Sequence, residues 1–205
     1  MSLFTETEEQ RIADAITAAE RTTSGEIIAV VAGESSTYLH VPFLYAALAA
    51  LFVPWPLIYF TWISVQAIFA IQLATFLVLL ALFLPRRVRL ALVSPQLKKT
   101  RAHRRAVEQF IAQNLHTTAG RTGVLIFVSV AERYAEIIAD AGIHKLVPDA
   151  TWQAIVDNLT RRMGEGRPAD AFVEAIGAVG SELARHFPPG VLDKDELPNH
   201  LIVLD

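Results

Sequence analysis

Four charged residues that can bind ions or transfer protons lie at the ends of predicted strands, namely Glu26, Glu132, Arg133 and Asp140. Loops at strand ends are where α/β domains gather their ligands. Carboxylate oxygens are the ligands that Ca²⁺ and Mg²⁺ prefer in proteins. The pattern therefore predicts a site for Ca²⁺ or Mg²⁺ formed by Glu26, Glu132 and Asp140. Asp149, at the start of the following helix, is a further candidate ligand.

The same residues also have an ordinary structural interpretation. Glu132 and Arg133 are typical polar turn residues. Asp140 is a typical loop cap, and Asp149 is a typical helix N-cap. The chain has no cysteine and no G-x-S-x-G stretch, and its six histidines lack H-x-x-x-H spacing. No motif therefore decides between metal chemistry and turn structure, and the catalytic residues stay unknown.

The overall composition limits the class of protein. The chain has 205 residues, of which 53% are hydrophobic, and its net charge is −3. A negative net charge excludes a general nucleic-acid binder. The absence of cysteine excludes disulfide bonds and thiolate chemistry. The start "MSLFTETEEQ" has neither the basic nor the apolar region of a cleaved signal peptide.

The middle of the chain is predicted to be a transmembrane helical hairpin at 41–85. Residues 35–85 contain no Asp, Glu, Lys or Arg, and about 20 apolar residues cross a bilayer core. We place the spans near 42–59 and 68–84, with a turn near "FTWISVQ". A turn at "PWP" instead would leave a first span of about a dozen residues, which is too short to cross. Spans without acidic or basic side chains favour an anchor over a transporter or channel.

Basic residues follow the second span directly. Residues 86–105 hold eight Lys and Arg residues and no acid, whereas the predicted turn has none. The positive-inside rule then predicts that both termini are cytoplasmic, with the hairpin in the cell inner membrane. The alternative is a solvated helix face that carries no orientation bias. The residues predicted to lie against anionic headgroups are Arg86, Arg87, Arg89, Lys98, Lys99 and Arg101.

The flanks of the hairpin are predicted to form one split α/β domain. Residues 1–34 supply a capping box of Thr5 and Glu8, a helix and the strand "EIIAVVA". They are too few to fold alone, so they must pack against residues 95–187. Residues 188–205 are assigned to a C-terminal tail.

The segment after the hairpin supplies the rest of the predicted domain. It begins with an amphipathic helix whose expected inner face is Val107, Phe110, Ile111 and Leu115. The apolar run "TGVLIFVSV" predicts a central strand covered on both faces. A tight turn at "AER" leads to the partner strand "YAEIIAD". Two helices follow, one over "DATWQAIVDNLTRRM" and one beginning at Pro168.

This order of elements resembles the TPM domain family. The residues that carry the resemblance are "TSGEIIAVV" at 23–31, "RTGVLIFVSVAER" at 121–133, "IIADAGI" at 137–143 and the Trp152–Val156 stretch. The resemblance is greatest to a bacterial branch with a membrane hairpin inserted after the first strand. It implies a Rossmann-like α/β/α sandwich. Asp140 stands where most members have the first glycine of "G-x-G-L-E", and no acid follows Ile143.

The resemblance implies two functions. Plant members are reported as acid phosphatases that bind metal through acidic residues, and other members are interaction modules. We expect a membrane-tethered accessory module for a membrane protein complex or a second copy of the chain. The alternative is a phosphatase dependent on Ca²⁺ or Mg²⁺ that is attached to the membrane.

Overall fold

A computed structural model describes residues 3–118, 120–189 and 197–204. The chain divides into two compact units. One unit combines Met1–Ser35 with Lys99–Asp205, and the other is the segment Ser36–Lys98 between them. The first unit therefore takes residues from both sides of the second unit in the sequence.

The helices are α1 (Glu6–Glu20), α2 (His40–Phe52), α3 (Pro54–Phe60), α4 (Val65–Phe83), α5 (Arg86–Leu92), α6 (Pro95–Ala112), α7 (Ala141–His144), α8 (Asp149–Gly164) and α9 (Pro168–His186). The strands are β1 (Glu26–Ala32), β2 (Gly123–Ser129), β3 (Tyr134–Ala139) and β4 (Leu201–Leu204). A single 3-10 turn at Leu115–Thr117 joins α6 to the loop before β2.

The described strands form one sheet in the order β3-β2-β1-β4. β1 pairs in parallel with β2 and with β4, and β3 pairs antiparallel with β2. All seven residues of β1 and all seven of β2 are buried. This burial explains why both strands are continuous apolar runs, as strands covered on both faces must be.

Helices cover both faces of the sheet. On one face, Ile27, Ala29 and Val31 join a hydrophobic core with α1, α8 and α9. On the other face, Ile28 and Val30 pack with α6 and with Leu115. The result is the α/β/α layering that the sequence predicts.

Two sequence predictions about this unit need correction. Phe110 and Leu115 pack in the core as predicted, whereas Val107 and Ile111 are exposed, and the buried residues of α6 are Ala102, Ala106 and Gln109. Small side chains face the sheet because they let the helix approach it closely. The predicted tail also contains β4, which extends the sheet by pairing with β1. The part of that tail at 190–196 and Asp205 lie outside the described residues.

The unit Ser36–Lys98 contains the predicted helical hairpin. Its helices His40–Phe60 and Val65–Phe83 are long and apolar enough to cross a membrane, with mean hydropathies of 1.9 and 2.3. The chain turns at 61–64, inside the predicted "FTWISVQ" turn. The alternative turn at "PWP" is wrong, because α3 follows α2 after Val53 alone. Tyr38, Val41 and Val93 form a small buried cluster within this unit.

The start of the chain is attached to the domain through α1 and α9. Thr5 and Glu8 form the predicted capping box at the start of α1. Ile12 and Ile16 on α1 are fully buried in the core that α9 also lines. A Cβ built on Gly180 of α9 would lie 2.6 Å from the Cβ of Ala19. The glycine therefore permits this close helix crossing.

Two glycines of α9 give a matched test of that crossing. We expect Gly180→Ala to lower the free energy of unfolding by about 1–3 kcal/mol, because the added methyl group overpacks the contact with Ala19. Gly177 has open space around its Cβ position. Gly177→Ala should therefore raise the free energy of unfolding by about 0.5–1 kcal/mol through helix propensity. Urea denaturation measures both, and equal effects of the two variants would contradict the packing.

Candidate functional site

The predicted carboxylates lie at two opposite ends of the sheet. Glu26 pairs with Gly123 at the amino end of β2, and the Asp140 N–H donates to the Gly123 carbonyl at 2.9 Å. Glu132 follows the carboxyl end of β2. Seven strand residues separate the two ends, a distance of roughly 20 Å. β3 runs antiparallel to β2, so it returns Asp140 to the end where Glu26 lies.

Even Glu26 and Asp140 do not converge directly. They flank Gly123 on two neighbouring strands, so their backbones are about 10 Å apart. Leu115 covers the glycine between them, since a Cβ on Gly123 would lie 2.5 Å from the Leu115 carbonyl oxygen. Both carboxylates are on residues that are 7% exposed.

Asp140 has local partners that give it a structural role. Its Oδ1 accepts a hydrogen bond of 2.6 Å from the Ala141 N–H at the start of α7. Its Oδ2 lies 3.4 Å from Nε of Arg121. Arg121 has a left-handed backbone, with φ of 53°. Asp140 therefore connects the end of β3 to α7 and to the turn before β2, as the loop-cap interpretation predicts.

Glu132 belongs to a different hydrogen-bond network at the carboxyl end. Its Oε1 accepts from the Ser35 N–H at 3.1 Å, and its Oε2 accepts from the Ser129 hydroxyl. The Ser35 hydroxyl donates to the Ser129 hydroxyl at 2.7 Å. These bonds hold the loop after β1 against the turn after β2. Arg133, next in this turn, has a left-handed backbone with φ of 51°.

The prediction of one metal site formed by Glu26, Glu132 and Asp140 is therefore corrected. Within residues 3–118, 120–189 and 197–204, no three His, Cys, Asp or Glu side chains lie together as a metal site would require. Asp149 does not join them, because its side chain is 86% exposed at the start of α8. Binding of Ca²⁺ or Mg²⁺ by this chain stays a prediction.

A groove of about 620 Å³ runs along β3 and was not foreseen from the sequence. Every residue of β3 lines it, together with Lys99, His103 and Val107 of α6 and Trp152, Val156 and Thr160 of α8. The sequence did hold a signal for it. β3 is the second strand of a predicted hairpin and no strand is predicted directly after it, which is the signal for a strand at the edge of a sheet.

An ionic cluster lies on the α6 side of this groove. Nδ1 of His103 lies 3.0 Å from both carboxylate oxygens of Glu136. The Tyr134 hydroxyl donates to Oε2 of Glu136 at 3.0 Å. Burial of the Tyr134 phenol raises its pKa above the ordinary value, and the negative charge of Glu136 adds to the effect. Tyr134 therefore stays a neutral hydrogen-bond donor at physiological pH.

The predicted membrane-surface residues lie on two helices. Arg86, Arg87 and Arg89 are on α5, and Lys98, Lys99 and Arg101 are on α6. Arg86, Arg87 and Lys99 are exposed, and the other three are half-buried.

Comparison with known proteins adds the family. The TPM domain family matches this sequence at residues 87–182. A TPM domain is found at these residues, which are slightly less than half of the chain. The match begins in α5 and ends in α9, so the TPM match includes β2 and β3 but leaves out α1, β1 and β4. The predicted resemblance to this family is confirmed.

A solved structure shares the fold of this TPM-domain chain. It is the NMR structure of BA42 protein from the psychrophilic bacterium Bizionia argentinensis. The two chains are 23% identical, with a TM-score of 0.63, over 98% of this chain and 96% of that one. At this identity the similarity establishes the fold alone. No curated protein matches the chain.

The structural role of Asp140 is directly testable. We expect Asp140→Ala to lower the free energy of unfolding by about 1–2 kcal/mol, because the cap on α7 and the contact with Arg121 are lost. Asp149→Ala is the control, because its exposed carboxylate has only a 3.8 Å contact with His144. That variant should stay within about 0.5 kcal/mol of the parent protein. Denaturant unfolding of both variants measures this, and an unchanged Asp140→Ala protein would contradict the assignment.

Proposed function

We propose that this chain is a membrane-anchored TPM-domain protein that presents its α/β domain at the cytoplasmic face of a bacterial inner membrane as an interaction module. The observation that carries the proposal is the hairpin of α2, α3 and α4, which exposes large apolar side chains along its length. It is inserted between β1 and α6 of a domain that is otherwise of ordinary polarity.

Exposure of the hairpin supports a membrane location over a soluble one. Phe60, Trp62 and Val65 at its turn are 85%, 104% and 78% exposed. No residue in the most apolar stretch of Val65–Phe83 is buried, whereas the core helix of a soluble protein is mostly buried. Soluble monomers rarely expose contiguous apolar patches of more than a few hundred Å². A secretory signal sequence would lie near the N-terminus, but this hairpin follows a folded strand.

The distribution of charge supports a cytoplasmic location for the α/β domain. Arg86, Arg87 and Arg89 lie three to six residues after the end of α4, and the turn at 61–64 has no charged residue. Short segments rich in Lys and Arg stay in the cytoplasm. The same basic residues favour contact with anionic lipid, and each contributes about 1 kcal/mol near the surface.

The arrangement of carboxylates favours an interaction module over a metal-dependent phosphatase. Ca²⁺ and Mg²⁺ require several oxygen ligands within about 2.6 Å of one ion. Glu132 is bonded to Ser35 and Ser129 at one end of β2, and Asp140 is bonded to Ala141 at the other. These carboxylates serve turns and caps, and the open groove along β3 is the feature of the domain that suits a partner.

The anchor and its orientation are tested together by reporter fusions to the full chain. We expect the protein to stay in the membrane fraction after an alkaline carbonate wash. A reporter active only in the cytoplasm should be active when it is fused after Asp205, and a periplasm-dependent reporter should be silent there. Inserted in the turn after Trp62, the two reporters should behave in the opposite way.

The control variant replaces Arg86, Arg87 and Arg89 by alanine. Because the orientation signal is reduced, this variant should give a mixed reporter pattern while it stays in the membrane. Release of the parent protein by carbonate would contradict the anchor. A periplasmic signal at Asp205 would contradict the orientation.

A further inference from the structure

The outer edge of β3 has backbone groups that the sheet does not use. Along an antiparallel strand, the backbone N–H and C=O groups of alternate residues bond to the neighbouring strand, and those of the residues between them point away from it. Asp140 bonds back to Gly123, so Ala135, Ile137 and Ala139 point their N–H and C=O groups away from β2. No strand of the described chain pairs with this edge. A further extended chain can therefore hydrogen-bond here.

The two walls of the groove differ in chemistry. α8 contributes Trp152 and Val156, which are next to the apolar face formed by Ile137 and its neighbours. The same helix also contributes polar residues to the lining, namely Asp149, Gln153, Asp157 and Thr160. α6 contributes Lys99 and His103 on the opposite side. Side chains that alternate along an added strand would contact the α8 wall and the α6 wall in turn.

A buried polar group also points to an absent partner. Trp152 is 7% exposed and lines the groove. Its indole N–H has no hydrogen-bond partner within the described part of the chain. Buried donors are nearly always paired in folded proteins, so an acceptor on a bound chain would complete this one.

We propose that the groove binds an extended peptide segment of a partner protein, which adds to the sheet antiparallel or parallel to β3. Its alternate residues are apolar toward Trp152 and Val156 of α8 and acidic toward Lys99 of α6, because His103 is already bonded to Glu136. The proposal rests on the interaction role proposed above, but it does not require the hairpin to lie in a membrane.

A single strand suits this edge better than a second copy of the chain. β3 forms the floor of the groove and α6 and α8 line its sides. A second copy that paired through its own β3 would bring its own α6 and α8 against these same helices. Glu136 would also come diagonally close to its counterpart in a pair centred on Ile137, and like charges destabilise strand pairs.

The test uses the full chain in detergent micelles and a capped, fluorescent peptide of alternating valine and glutamate. We expect saturable binding by fluorescence anisotropy. Two control peptides should bind at least about tenfold more weakly, because each loses one kind of contact. The first control is N-methylated at alternate residues and is made in two versions, one for each edge of the extended peptide. The version methylated along the edge that faces β3 lacks the N–H groups that would bond to this strand. The second control has lysine in place of glutamate.

Two variants of the protein keep the result decisive. Lys99→Glu changes an exposed residue, so it should fold normally, weaken binding of the glutamate peptide about tenfold and strengthen that of the lysine peptide. Ala135→Pro removes an outward N–H from an edge strand, where proline is tolerated, and should also weaken binding.

The contradicting outcomes are separate from those of the anchor. Absence of binding at millimolar peptide, or equal binding by both variants and both control peptides, would overturn the proposal even if the hairpin is membrane-bound. Self-association of the full chain that Ala135→Pro abolishes would assign the edge to a second copy and would also overturn it. Binding with the expected preferences would stand even if carbonate released the protein from membranes.

Discussion

The whole domain depends on the pairing of β1 with strands that lie beyond the hairpin. β1 pairs with β2 from Glu26–Gly123 to Ala32–Ser129, and with β4 from Ala29–Leu201 to Ala32–Leu204. Because β1 is central and buried on both faces, the sheet has no complete core without it. The free-energy cost of closing a loop grows only with the logarithm of its length. An insertion at 36–98 is therefore compatible with a stable pairing of its flanks.

The same pairing constrains function. The strands on either side of the hairpin lie in one sheet, so the two ends of the inserted segment return to one domain. Any membrane anchor formed there must cross an even number of times, and the domain must stay on one side. β2 is then bonded on its inner edge to β1 and on its outer edge to β3. β3 has no further neighbour among the described strands, and its free edge is where a partner strand can add.

Local signals in the sequence predicted most of the fold. The bounds of β1, the capping box at Thr5 and the start of α9 at Pro168 follow from side-chain patterns and cap chemistry. The errors concern information that is not local. Val107 and Ile111 are apolar but exposed, because α6 buries its alanines against the sheet instead. β4 has four residues and is paired with a strand about 170 positions away, which no local pattern indicates.

The candidate site was predicted less well for the same reason. Glu26, Glu132 and Asp140 were grouped because all three lie at strand ends, without knowledge of which strand ends meet. The antiparallel strand between Glu132 and Asp140 carries these two residues to opposite ends of the sheet instead. The position of the groove depends on which edge of β3 is free. The free edge can be identified only when the order of the strands in the sheet is known. Lys99, on the α6 wall of the groove, was assigned to the membrane surface because it lies in the basic run at 86–105 that follows the hairpin.

The most direct test removes the insertion while it keeps the pairing of β1. Ser35 would be joined to Lys99 through a flexible Gly/Ser linker, and unfolding would be followed by near-ultraviolet and far-ultraviolet circular dichroism. The account predicts a soluble protein in which both signals are lost in one cooperative transition, because β1 still reaches β2 and β4. An aggregated or molten product, from a parent protein that is well folded in detergent, would contradict the claim that the flanks alone form the domain.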